Sequence, residues 1–203
     1  MQYIVSIHIP IILIVTLPLL FAWKFANFFS PVHVIFLELI MGPTCSIIYE
    51  NEPIEPGTMQ RPPRKLITTF LSGKQLQTSI AQGLMITAGC LSLGYYFMQH
   101  DADIATVRTI IFITLLFSNI FLTLVNRSFQ YPITTTLRYK NYMVTIVMLV
   151  TLAFIFSLLF IPFIRALFLL HTISLTMIIK CLIVAFISTM WIELFKQYKK
   201  VKV

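Results

Sequence analysis

The chain has 203 residues, of which 58% are hydrophobic and only 11% charged, with a net charge of +8 at pH 7. Soluble domains carry about a quarter charged residues, so a water-soluble core is excluded, and the mean hydropathy of +0.89 points to lipid instead. The longest polar interval, Glu50 to Gln75, is 26 residues, too short to contain a nucleotide-binding or hydrolytic domain, so a self-contained soluble enzyme is excluded too.

In chain order, apolar stretches long enough to cross a hydrocarbon layer of about 30 Å run over 3–22, 31–49, 77–98, 105–125, 142–161 and 169–195. They predict an all-α membrane protein, a single transmembrane domain over 1–203 built as a bundle of six helices. The first span opens almost at Met1 with no basic residue before it, unlike a secretory signal. Pro10 lies inside this span and Gly42-Pro43 inside the second. Proline has no N–H to donate and its ring crowds the carbonyl four residues back, so both helices are expected to be broken, freeing the carbonyls of Ser6 and Leu39.

The loop 50–76 contains the stiff, proline-rich run Glu50 to Arg64, and 126–141 is broken at Pro132. With six crossings, these loops and the tail 196–203 share one side. That side holds eleven of the basic residues in the connections, against three on the other. By the positive-inside rule both termini lie in the cytoplasm of a plasma (inner) membrane protein. The basic residues mark topology and form no aromatic-interleaved stripe, so nucleic acid is not an expected partner. Cys45, Cys90 and Cys181 show no ligand spacing and read as packing residues.

Catalytic motifs are missing: there is no phosphate-binding loop, dinucleotide fingerprint, HExxH or nucleophile elbow, and the chain has only seven acidic residues. No catalytic residue and no cofactor is expected in this chain. One of those acids, Glu38, falls seven residues into the second span, about 10 Å below the outer surface. An ionised carboxylate there needs a cavity, a cation or a proton. Pro10 and Pro43 both lie about 18 Å deep, and paired helix breaks at one level are the geometry of transporter ion sites. His8 could be a ligand or an interhelical hydrogen-bonding group, and Asn119 a helper or helix glue. Lys180, deep in the last span, needs a partner. Ser79, Gly83 and Thr87 recur every four residues as a close-packing face. His100, Asp101 and Asp103 could bind a metal but read more simply as a solvated loop.

The run Pro31 to Glu50, followed by Asn51-Glu52-Pro53 and then Met59 to Arg64, resembles the sixth membrane helix and following loop of cation-transporting P-type ATPases of the calcium-pump type. Asn119 to Ser128 resembles the end of that family's eighth helix, and Trp191 to Lys196 the end of its tenth. The resemblance covers essentially the whole chain as helices five to ten. It implies a pump that uses ATP and Mg when complete and moves an inorganic cation across the lipid bilayer. The phosphorylated Asp-Lys-Thr-Gly motif, the nucleotide-binding and actuator domains and the first four helices are missing from these residues. The chain alone is therefore expected to hydrolyse no ATP and to need the missing N-terminal half as partner. The resemblance places cation ligands at Glu38, Met41 and Gly42, where calcium pumps carry Asn, Thr and Asp, while their other ligating carboxylates fall near Ile11 and Leu116. Calcium takes six to eight oxygens, so this set favours a single site for a proton, a monovalent cation or a partly hydrated divalent one. Arg61, Pro62, Pro63 and Arg64 correspond to the loop that touches the phosphorylation domain. Two other readings remain open: a free-standing six-helix channel or secondary carrier using Glu38 without ATP, and a non-transporting accessory or remnant protein.

Overall fold

The computed structural model describes residues 1–23, 28–55, 58–60, 71–128 and 131–201. Among them the protein is all-helical: α1 (Gln2–Leu20), α2 (Pro31–Pro43), α3 (Gly73–Gln99), α4 (Ile104–Val125), α5 (Ile133–Thr136), α6 (Tyr142–Phe160), α7 (Pro162–Leu167) and α8 (Leu175–Val201), with a π-helical turn at Thr44–Ile48 and a 3-10 turn at Thr58–Gln60. Five of these, α1, α3, α4, α6 and α8, are long and apolar enough to cross a membrane, while α2 is shorter. Its helical path continues through the π turn to Glu50.

The proline positions behave differently from one another. Helix α1 carries Pro10 and Pro18 without interruption, so the expected break of the first helix is not a break in its helical path. In α2 the α-helix ends at Pro43 and the π turn begins with the next residue. Another difference concerns the last span, expected from Leu169. Pro162 starts the short helix α7, Leu169 takes a positive φ of 50°, and α8 begins only at Leu175. A branched residue in the left-handed region ends a helix rather than starting one.

Helix α4 is the hub, with Val107, Ile110, Ile111, Phe112, Ile113, Leu115, Leu116 and Leu122 fully buried. Three glycines of α3 let its neighbours in. A Cβ on Gly83 would lie 2.7 Å from Ile9 Cβ in α1, one on Gly89 3.1 Å from Ser188 Cβ in α8, and one on Gly94 2.7 Å from Ile111 Cδ1 in α4. Small residues at such crossings let helix backbones approach in a medium where lipid tails remove the hydrophobic drive for association.

Polar contacts gather at the two ends. At one, Arg108 donates to the carbonyls of Phe28 (2.6 Å) and Leu169 (2.9 Å), and Thr109 Oγ1 accepts from His171 N at 2.9 Å. These join the α1–α2 connection, the start of α4 and the α7–α8 connection. Here His33 caps α2, its Nδ1 accepting from Ser30 N at 3.1 Å, and its buried ring stacks on Phe29 and meets Phe112 and Phe168 edge-on. At the other end, Arg127 grips Glu52 through Nε–Oε1 (2.6 Å) and Nη2–Oε2 (3.2 Å), Asn141 Nδ2 donates to Glu52 Oε1 (3.1 Å) and Ile48 O (3.0 Å), and Ser128 Oγ donates to Glu55 Oε1. Glu193 accepts from Ile133 N (2.7 Å) and Lys196 Nζ (2.7 Å), so the end of α8 is tied to the same cluster. The Tyr139 phenol beside it is held above its ordinary pKa by burial and by the carboxylates of Glu55 and Glu52.

Candidate functional site

Glu38 and His8 meet. His8 Nε2 on α1 lies 3.1 Å from Glu38 Oε1 on α2, with the two side chains 40% and 48% exposed. The other ring nitrogen, Nδ1, is 2.7 Å from the carbonyl of Ile4 one turn earlier. A carbonyl only accepts, so this contact assigns the proton to Nδ1. In the neutral ring Nε2 then presents a lone pair to the carboxylate oxygen, and in the protonated ring it donates to that oxygen.

The surface around the pair is apolar and open. Ile4, Ile12, Ile35 and Leu39 are exposed, and a Cβ built on Gly42 would meet nothing within 4 Å. Ile35, Glu38, Leu39 and Gly42 follow the three- and four-residue spacing of one face of α2, as Ile4, His8 and Ile12 do on α1. An ionisable pair at such depth is costly against lipid and needs a cavity or a covering helix.

The remaining candidate positions go elsewhere. Met41 is packed into the core, and its carbonyl accepts from Thr44 N. Thr44 Oγ1 donates to the carbonyl of Ile40 at 3.0 Å, a side-chain bond inside the turn that Pro43 disrupts. The Ser6 carbonyl, left without its proline partner, lies against α3, 3.0 Å from where a Gly83 Cβ would stand. Asn119 is 2% exposed and takes the hydroxyl of Tyr3 on its Oδ1. It therefore bonds α4 to α1. Ser79 and Thr87 are buried on either side of Gly83. Lys180 Nζ sits 5.0 Å from the centre of the Tyr96 ring and 5.2 Å from that of Phe97. Cys90 and Cys181 are buried free thiols. His100 is turned back onto its own helix, Nδ1 2.8 Å from the Tyr96 carbonyl, and no group of three or more His, Cys, Asp or Glu side chains forms a metal cluster among the described residues. Arg61, Pro62, Pro63 and Arg64 lie outside the described residues.

Sequence reasoning missed the Glu52–Arg127–Asn141 cluster and the Glu193–Lys196 pair. The partners of the first are 75 and 89 residues apart, and only the scarcity of acids in the chain marks Glu52 and Glu193 as residues with a task.

No curated protein matches the chain. Residues 26–198 match the family described as cation transporting ATPase, C-terminus. That stretch takes in α2 through most of α8, and the chain belongs to this family, the C-terminal transmembrane region of cation-transporting P-type ATPases.

Proposed function

We propose that this chain forms part of the ion-binding and translocation path of a P-type cation pump, with Glu38 as the central side chain. The observation that carries the reading is the convergence of Glu38 Oε1 and His8 Nε2, 3.1 Å apart, on an open face of α1 and α2. A carboxylate and an imidazole lone pair together hold a cation or a shared proton. Pro43 has no N–H to donate, so the Leu39 carbonyl beside Glu38 lacks its α-ladder partner. Gly42 leaves room beside Glu38, Met41 contributes packing, and Asn119 bonds α4 to α1.

The first four helices of the pump cover this face, which explains a polar pair on an otherwise apolar surface. The six crossings are α1, α2 with its continuation to Glu50, α3, α4, α6 and α8. At 1.5 Å per residue the path 31–50 is about 30 Å long, enough to span. The end holding Glu52, Arg127 and Lys196 is the cytoplasmic one, as the basic residues there indicate, and both termini lie on it. Energy enters through the missing domains by way of Arg61 to Arg64. The chain alone hydrolyses no ATP.

The test is cation binding to the purified chain in detergent, followed by ion-stimulated ATP hydrolysis in a complete pump carrying the same change. Glu38→Gln, which keeps the shape and loses the charge, abolishes both. Unchanged stimulation in the Gln variant refutes the assignment, and unchanged stimulation after replacing Pro62 and Pro63 refutes the coupling route.

A further inference from the structure

A cavity of about 420 Å³ opens between the start of α1, the first turns of α3 and the end of α8, far along the chain from Glu38. Its polar wall includes Gln2, Lys74 and Trp191, and its apolar wall includes Ala81, Ile192 and Phe195. Two buried polar atoms here have no hydrogen-bond partner among the described residues: Gln2 Oε1, in a residue only 6% exposed, and Trp191 Nε1. Gln2 also forms the wall toward a second cavity of about 300 Å³ beside Glu52 and Arg127. The first atom wants a donor and the second an acceptor. Lys196 also lines the cavity, but its ammonium is taken by Glu193 and the Val125 carbonyl. Lys74 forms no ion pair among the described residues and stands in the first turn of α3, where the helix dipole adds to its positive field.

The position narrows the occupant. Trp191 and Lys196 lie near the end of the span Leu175–Gln197 of α8, and Lys74 lies at the start of the span Gly73–Gln99 of α3. This is the level at which tryptophan and lysine meet lipid headgroups. A ligand here must offer a negatively charged acceptor to Lys74 and Trp191 N–H, a donor to Gln2 Oε1, and hydrocarbon to Ile192 and Phe195. We propose that this cavity is a binding site for the headgroup of an anionic phospholipid that also carries hydroxyl donors, the chemistry of phosphatidylglycerol. Its phosphate accepts from Trp191 and Lys74, its hydroxyl donates to Gln2, and its chains run along α8.

The test uses the full chain in nanodiscs of phosphatidylcholine and phosphatidylglycerol, with native mass spectrometry of the lipid retained on release. The wild type keeps one phosphatidylglycerol. Trp191→Phe, which preserves the ring and removes the donor, and Lys74→Gln each weaken retention by roughly tenfold, as expected for a lost hydrogen bond to a charged group. Lys140→Gln, an exposed lysine in the connection before α6, leaves it unchanged. Should Trp191→Phe fail to fold, Lys74→Gln at its exposed position carries the test. Equal retention in the variants, equal retention of phosphatidylcholine, or displacement of the lipid by millimolar inorganic phosphate each overturns the proposal, the last by making the site one for a free anion.

Discussion

Arg127 holds Glu52 at two points, 2.6 and 3.2 Å, and with side chains 3% and 12% exposed the pair is largely buried. It joins the segment leaving α2 to the end of α4, and Asn141 adds the start of α6 through the same carboxylate. Removing one partner from a buried pair leaves the other charge uncompensated, at a cost of about 3–5 kcal/mol. Arg127→Ala is therefore expected to lower the thermal midpoint of the purified protein in detergent strongly. Arg127→Lys recovers only part of the loss, because an ammonium cannot make the two-point contact. A melting curve unchanged in Arg127→Ala contradicts this account.

Two glycines give opposite results with the same substitution. At Gly83 an added methyl lies 2.7 Å from Ile9 Cβ and 3.0 Å from the Ser6 carbonyl, so α1 and α3 must separate. The expected loss is about 1–3 kcal/mol. At Gly42 nothing lies within 4 Å, and alanine there gains helix propensity of up to about 1 kcal/mol. Thermal stability of Gly83→Ala and Gly42→Ala, measured side by side, checks both signs.

Tyr3→Phe removes the hydroxyl that Asn119 accepts while keeping the ring that meets Tyr49 edge-on at 5.4 Å. Leaving Asn119 Oδ1 buried and unpaired is expected to cost about 1–3 kcal/mol. Cation binding should persist, since the His8–Glu38 pair is untouched. Loss of binding in titrations with the Phe variant would move Asn119 from scaffold to ligand.

Lys180 rests over the Tyr96 ring at 5.0 Å, so Tyr96→Leu should destabilise by about 1 kcal/mol. Lys180→Met should leave cation-stimulated activity of a complete pump unchanged. A changed ion dependence in that assay would place the lysine on the transport path.

How far the residues alone announced this structure depends on the range of the interaction. All-helical membrane class follows from runs of apolar side chains, a local property, and so did the demand that Glu38 have company. Its meeting with His8 was open from sequence, because imidazole in a span serves equally as ligand or as hydrogen-bonding glue. Pro10 and Pro43 looked alike, yet α1 keeps its helical path through Pro10, with the Ser6 carbonyl lying against α3 at Gly83, while after Pro43 the helix widens. Sequence spacing does not encode these surroundings. The late start of α8 came from Pro162 and the left-handed Leu169 inside an apolar run, where hydropathy cannot distinguish a crossing helix from a turn. The Glu52 and Glu193 clusters depend on partners brought together only by folding.

The widened turn at Thr44–Ile48 sits between Glu38 on α2 and Glu52. Five-residue closure accommodates one residue more than an α turn of the same path, and each residue of α-helix is worth about 100° of rotation. Tightening that turn would swivel everything downstream of it while Glu38 stayed fixed, and Glu52 would have to leave the guanidinium of Arg127. The winding of this one turn therefore sets the rotational position of Glu52 relative to Glu38.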